Sequence, residues 1–171
     1  MVDAEGAQLV LGARITQCAN DSHELLEDVS AIPESVGKVE KVLADSGYIN
    51  EKQVGDLERD DIEVYVATGA ESKQNRRKYD YRPENAAKRK DREVKALWLK
   101  RMKAKLETET GRALYARRKQ TVEPVFGIIK QCMGFRQFLL RGVEKVSGEW
   151  QLVTTAYNFK RLWNLKIATN H

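Results

Sequence analysis

The chain has 171 residues, the length of one domain, and 42% of them are apolar, enough for a real core, which excludes an intrinsically disordered protein. No apolar run approaches the ~20 residues of a membrane-spanning helix, and MVDAEGAQ lacks the basic stretch and apolar run of a secretory signal. The net charge of +5 hides a split: residues 1–70 carry 5 basic and 15 acidic side chains, residues 71–105 carry 14 and 5, and residues 106–171 carry 11 and 5. A basic half joined to an acidic one points to polyanionic partners, DNA or RNA, with a well-solvated basic surface as the plainer reading. Cys18 and Cys132 lie far apart and form no CxxC, as expected of two reduced thiols in a cytosolic protein. His23 and His171 are the only histidines, so a metal here is held by oxygen.

In chain order, Gln8–Thr16 (QLVLGARIT) is rich in β-formers and predicts a strand. Asn20-Asp21-Ser22 can cap a helix over 23–32 with Leu25, Leu26 and Val29 on one face, ended by Pro33 to Gly37. Val39–Ala44 predicts a short strand running into Asp45-Ser46-Gly47-Tyr48. Asn50 opens an amphipathic helix to about Asp60, carrying Val54 and Leu57, and Ile62–Ala67 predicts a third strand. This alternation indicates a parallel α/β arrangement with a thin sheet.

From Thr68 to Pro83 the sequence turns polar, with Arg76-Arg77-Lys78 flanked by Tyr79 and Tyr81. A charged helix over 84–107 follows, its apolar stripe limited to Val94, Leu97, Trp98 and Met102, and Gly111 is expected to break it. A second helix starts near Arg112, is interrupted at Pro124, and resumes over 125–131. Gly134–Gly142 (GFRQFLLRG) predicts a loop. The last helix, over 143–167, carries Val146, Trp150, Val153 and Tyr157 on one stripe. Leu152, Ala156, Phe159 and Trp163 lie beside it, and the combined face is expected to pack on the sheet as core.

Two carboxylates stand out. Asp45 directly follows an apolar strand, where ligand sites of parallel sheets lie, and Gly47 allows a sharp turn there. An Asp that closes a turn or caps the next helix is the equal alternative. Glu123 sits among Val122, Val125 and Phe126 with Pro124 directly after it, which suggests the start of a helical segment or a kink. Lys130 lies two turns along nearly the same face; Lys119 shares it only if the helix is continuous, and Arg118 then points away. Carboxylates in a basic surround suit magnesium, which prefers oxygen ligands and substrate phosphates and can activate a nucleophile in phosphoryl transfer.

VLADSGY, YARRKQTVEPVFGIIK and GFRQFLLRGVEKVSGEWQLVTTAYNFKRLW together resemble the end of DDE transposases of bacterial insertion sequences. The resemblance implies one α/β domain over residues 1–171, of RNase H-like fold and truncated at its amino-terminal side. Such a domain would have about three strands with flanking helices, and a long basic helical insertion at about 69–111. It implies DNA strand cleavage and transfer by three carboxylates binding Mg2+ or Mn2+. Asp45 matches the second aspartate and Glu123 the glutamate, as catalytic and metal-binding residues. The first aspartate is expected on an earlier strand, and Asp3 of VDAEG is expected as a turn residue, its alternative being that ligand. Tyr115, Glu123 and Lys130 fit a tyrosine–arginine–glutamate–lysine signature, with six residues between Glu123 and Lys130. The arginine is displaced: Arg118 keeps the spacing from Tyr115, Lys119 the spacing to Glu123. Tyr115, Arg118, Lys119 and Lys130, with Arg136 and Arg141, are the implied DNA contacts. Activity weakened by the missing ligand is expected, with a non-catalytic DNA-binding remnant as the alternative. The implied partners are transposon ends and target DNA, with a homodimer in the transposition complex, in the bacterial cytoplasm at the nucleoid.

Overall fold

The computed structural model describes residues 1–68 and 96–169, the side chain of Lys119 excepted. The basic stretch 69–95, with Arg76-Arg77-Lys78, Val94 and most of the expected helix over 84–107, lies outside the described residues.

Short polar caps start the elements of the first half. Asn20 accepts the Ser22 N–H (2.9 Å) and opens a 3-10 turn that leads into α1 (Leu25–Ser30), shorter than the sequence suggests. After β1 (Lys41–Ala44), the Asn50 side chain accepts the N–H groups of Lys52 and Gln53 and starts α2 (Glu51–Arg59). β2 (Glu63–Val66) returns parallel to β1, Lys41 facing Glu63 and Ala44 facing Val66. Leu25, Val29, Val42, Ala44, Val54, Leu57, Val64, Val66 and Met102 form the buried core of this unit. Three successive buried residues in β2, Val64 to Val66, mark a strand covered on both faces, as parallel strands usually are.

Gln8–Thr16 does not form the expected strand. Only Val10 pairs, in an isolated antiparallel bridge with Val2, so the sheet among the described residues has two strands rather than three. The segment's backbone is instead bound by side chains of the last helix, α5 (Val143–Ala168). The Asn158 amide accepts the Val10 N–H and donates to the Val10 carbonyl, both at 2.8 Å, as a neighbouring strand would. Tyr157 donates to the Gln8 carbonyl (3.0 Å) and Arg161 Nε to the Ala7 carbonyl (2.8 Å). These bonds answer the requirement that backbone groups be paired, without a ladder.

α3 (Leu97–Glu107) packs Met102, Trp98 and Leu106 on the first core, whereas Leu97 is exposed. The break after it falls at Thr108 rather than at Gly111. Thr108 ends α3 and caps α4 (Glu109–Gly127) by accepting the Gly111 N–H (2.9 Å). Gly111 serves the close approach of the two helices, since a Cβ there would lie 2.1 Å from the Lys105 carbonyl oxygen.

α4 also runs unbroken through Pro124, so Glu123 lies inside a helix and not at the start of one. Proline removes the hydrogen bond to the carbonyl four residues earlier, that of Gln120. Gln8 Nε2 donates to that carbonyl at 2.9 Å and replaces the lost partner. The chain continues through a π-helical turn, Ile128–Cys132, and then the expected loop to α5.

Val125 and Ile129, with Tyr157 of α5, form a second core, flanked by Val2, Val10, Phe135, Trp150 and Val153. Thus α4 is the spine of the molecule, its first half against β1 and its second half against α5. One of the two apolar stripes of α5 is covered as expected, but by α4 rather than by the sheet. The other is open: Leu152 is 71%, Phe159 74% and Trp163 59% exposed, so the expectation of core packing fails for these side chains. No described helix is long and apolar enough to cross a membrane.

Candidate active site

At the carboxyl end of β1 three elements meet around Asp45. Its backbone is extended and its Oδ1 accepts the Gly47 N–H (2.8 Å), capping the 3-10 turn Ser46–Tyr48. The turn-closing reading of Asp45 therefore holds, and it does so at the end of a strand. Gly47 contributes room rather than unusual backbone angles, because a Cβ there would lie 3.0 Å from Asp45 Oδ1. Arg118 Nη2 donates to Asp45 Oδ2 at 3.0 Å, and Tyr115, nearly one turn earlier on α4, donates its hydroxyl to the Ala44 carbonyl (3.2 Å). The Arg118 guanidinium lies 5.9 Å from the Tyr115 ring centroid, so the two side chains act as one clamp on the strand end.

Tyr48 closes the far side of the turn. Its hydroxyl donates to Asp28 at 3.3 Å. Burial, reinforced by the nearby Asp28 charge, pushes the phenol up to about 12, so it stays a neutral donor. Asp28 is itself raised, first by burial, against the pull of Arg14. Arg14 binds Glu24 and Glu27 and ties the segment before α1 to that helix. Nothing in the sequence pattern singles out this cluster.

The other expected site residues lie further along the spine. Glu123 is exposed, and five residues of helix place it ~140° around α4 from Arg118. Lys130 is exposed on the π-helical turn, its Nζ 5.9 Å from the Phe126 ring centroid. The wider π turn alters the alignment with Glu123 that an unbroken α-helix implies. Arg136 is exposed in the loop and donates to Gln131 Oε1 (3.1 Å), and Arg141 is exposed just before α5. Lys119's side chain is outside the described residues, so only Arg118 of the two displaced-arginine candidates has a described contact. Asp3 accepts the N–H groups of Glu5 and Gln8, each at 3.0 Å, and serves as a turn residue.

Among the described residues no three of His, Cys, Asp and Glu gather closely enough to hold a metal ion. Asp45 has its oxygens engaged by a backbone N–H and a guanidinium, and Glu123 faces away from that guanidinium. In this arrangement the residues do not fit a divalent-ion site.

Fold and site thus define a mixed α/β protein with a carboxylate–guanidinium pair at a strand end, served by one long basic helix. A family model described as the transposase DDE domain matches residues 71–163, more than half of the chain. The chain belongs to that family. The match takes in Tyr115, Arg118, Glu123 and Lys130, whereas Asp45 and the sheet precede it. No curated protein and no solved structure matches the chain.

Proposed function

We propose that the chain serves DNA transposition as a DNA-engaging part of the strand-cleaving domain, with cleavage impaired in this arrangement. Asp45 and Glu123 stand at the motif's carboxylate positions for Mg2+ or Mn2+, but as arranged here they do not hold such an ion together. Arg118, Lys130, Arg136 and Arg141 engage phosphates, with Tyr115 supporting Arg118; Lys119 belongs to the same proposal by its place in the motif. The observation that carries this reading is the Arg118–Asp45 pair at the end of a parallel strand. It joins a helix of the family-matched region to the one aspartate that both the strand and the motif single out.

The pair also supports the impairment. A guanidinium on Asp45 neutralises the charge a divalent ion requires, so metal and Arg118 compete for one oxygen. Phosphate engagement by the exposed basic side chains needs no such exchange. Two copies bridging two DNA ends, in an RNase H-like domain acting at the bacterial nucleoid, belong to the same reading.

The test is purified chain with labelled duplex under Mg2+ or Mn2+ titration, with Asp45→Ala and Glu123→Ala beside it. Salt-sensitive binding unchanged by either substitution, with cleavage weak or absent, is the expected result. Strong metal-dependent cleavage abolished by both substitutions would overturn the impairment. Absence of salt-sensitive binding would overturn the DNA reading.

A further inference from the structure

The loop between the π-helical turn and α5 presents apolar side chains to solvent between two arginines. Leu139 is 77% exposed, Leu140 49% and Phe138 41%, while Arg136 and Arg141 flank them, both exposed. An apolar tip this open usually marks a contact surface. This one is also held in place. Glu149 of α5 accepts the Leu139 N–H with both carboxylate oxygens (2.9 and 3.1 Å) and the Leu140 N–H with one (3.1 Å). Such charge-assisted bonds are among the stronger a loop can make.

Beneath the tip lies an aromatic plinth. Phe138 meets Phe135 edge-on at 5.4 Å and Trp150 edge-on at 6.1 Å between ring centroids. Phe138 is therefore anchored from below, and Leu139 is the most exposed of the three apolar side chains at the tip. A braced, exposed aliphatic side chain with an exposed arginine three residues before it and another two after suits a duplex in particular. Arginines take phosphates on either side while an apolar wedge enters a base step and unstacks it.

We infer that the 136–141 loop is a DNA-distorting wedge, with Leu139 inserted at a base step and Arg136 and Arg141 on the flanking phosphates. The inference rests on the proposed DNA partner and adds a deformation of that DNA. The positive charge of the chain after residue 70 fits this partner, and an uncharged protein groove would leave both arginines without counter-charge.

The test uses the full chain and duplexes carrying 2-aminopurine at successive positions, whose fluorescence rises when the base unstacks. Wild-type chain should raise it several-fold at one step. Leu139→Ala should lose that rise while retaining salt-dependent binding, and Leu139→Phe, which keeps an apolar wedge, should retain the rise. Arg136→Ala and Arg141→Ala should each weaken binding across all sequences and reduce the salt slope by about one. Glu149→Ala should diminish the rise by releasing the tip. Salt-dependent binding with no rise, or a rise unchanged in Leu139→Ala, would overturn the wedge and leave the DNA partner standing. No salt-dependent binding at all would overturn the DNA partner, and the wedge with it.

Discussion

At the carboxyl end of β1, Asp45 is held by its own turn, by Arg118 from α4, and beside a strand end that Tyr115 also grips. On the outer face of α4, Glu123 stands exposed on a helix whose buried side faces elsewhere, through Thr121 and Val125. One carboxylate is part of the architecture and the other is not. The contrast separates two reasons for an acidic residue in a motif. Replacing Asp45 is expected to lower stability, whereas replacing Glu123 is expected to leave it nearly unchanged.

The most severe way to break the comparison is to displace the helix that carries both Arg118 and Glu123. Gly111→Ala puts a methyl group 2.1 Å from the Lys105 carbonyl oxygen, so the α3–α4 junction must open. A loss of about 3 kcal/mol in urea denaturation is expected, at the upper end for overpacking.

Severing only the Asp45 side is milder. Arg118 is 23% and Asp45 48% exposed at the side chain, so the ion pair is partly screened. Arg118→Ala should cost about 1 kcal/mol, and a cycle with Asp45→Ala should return most of it as coupling. A cycle between Arg118 and Glu123 should return no coupling beyond error, which is the sharper half of the contrast.

Next comes the support for the straight course of α4 past Glu123. Gln8→Ala leaves the Gln120 carbonyl without the donor that replaces Pro124's missing N–H. The site is exposed, so water offsets part of the loss, and about 0.5 kcal/mol is expected. In a Pro124→Ala background the helix supplies its own N–H, and Gln8→Ala should then be neutral.

The turn after Asp45 also carries a pH signature. Tyr48, raised to about 12 in the folded state, contributes stability that is full below the unfolded value of 10.0 and is lost as pH rises through the folded one. Tyr48→Phe should make the decline between these values shallower, with Tyr65, also raised to about 12 mainly by burial, supplying part of what remains. Smallest of all, Glu123→Gln should change stability by less than about 0.5 kcal/mol, as exposed substitutions do. A larger change would show that Glu123 belongs to the architecture after all.

Local signals carried much of the first half. Asn50 caps α2 because its side chain reaches N–H groups two and three residues on, a relation visible in the sequence alone, whereas Asn20 caps only the 3-10 turn before α1. The short apolar runs ending at Ala44 and near Val66 became parallel strands. The basic stretch 69–95 lies outside the described residues and leaves the expected insertion as an expectation.

Longer-range partners were not legible. The β-prone run Gln8–Thr16 lacks a ladder because Asn158, almost 150 residues away, binds Val10 on both its polar groups. Pro124 reads as a helix break because proline leaves one carbonyl unpaired, and only the fold brings Gln8 to that carbonyl. The α5 aromatics read as one wide core face, yet Phe159 and Trp163 are open because α4 covers only one stripe.

By itself the sequence determined the Asn50 cap, the short strand runs and the two carboxylates as candidates, since each depends on neighbours within a few residues, and the alternation of strand and helix implied the parallel pair. Only the tertiary structure decided that Asp45 is bound by Arg118, that Glu123 faces away from it, and that Glu149 braces an apolar loop tip. Those facts depend on which distant polar groups find partners, and periodicity along a chain does not encode that choice.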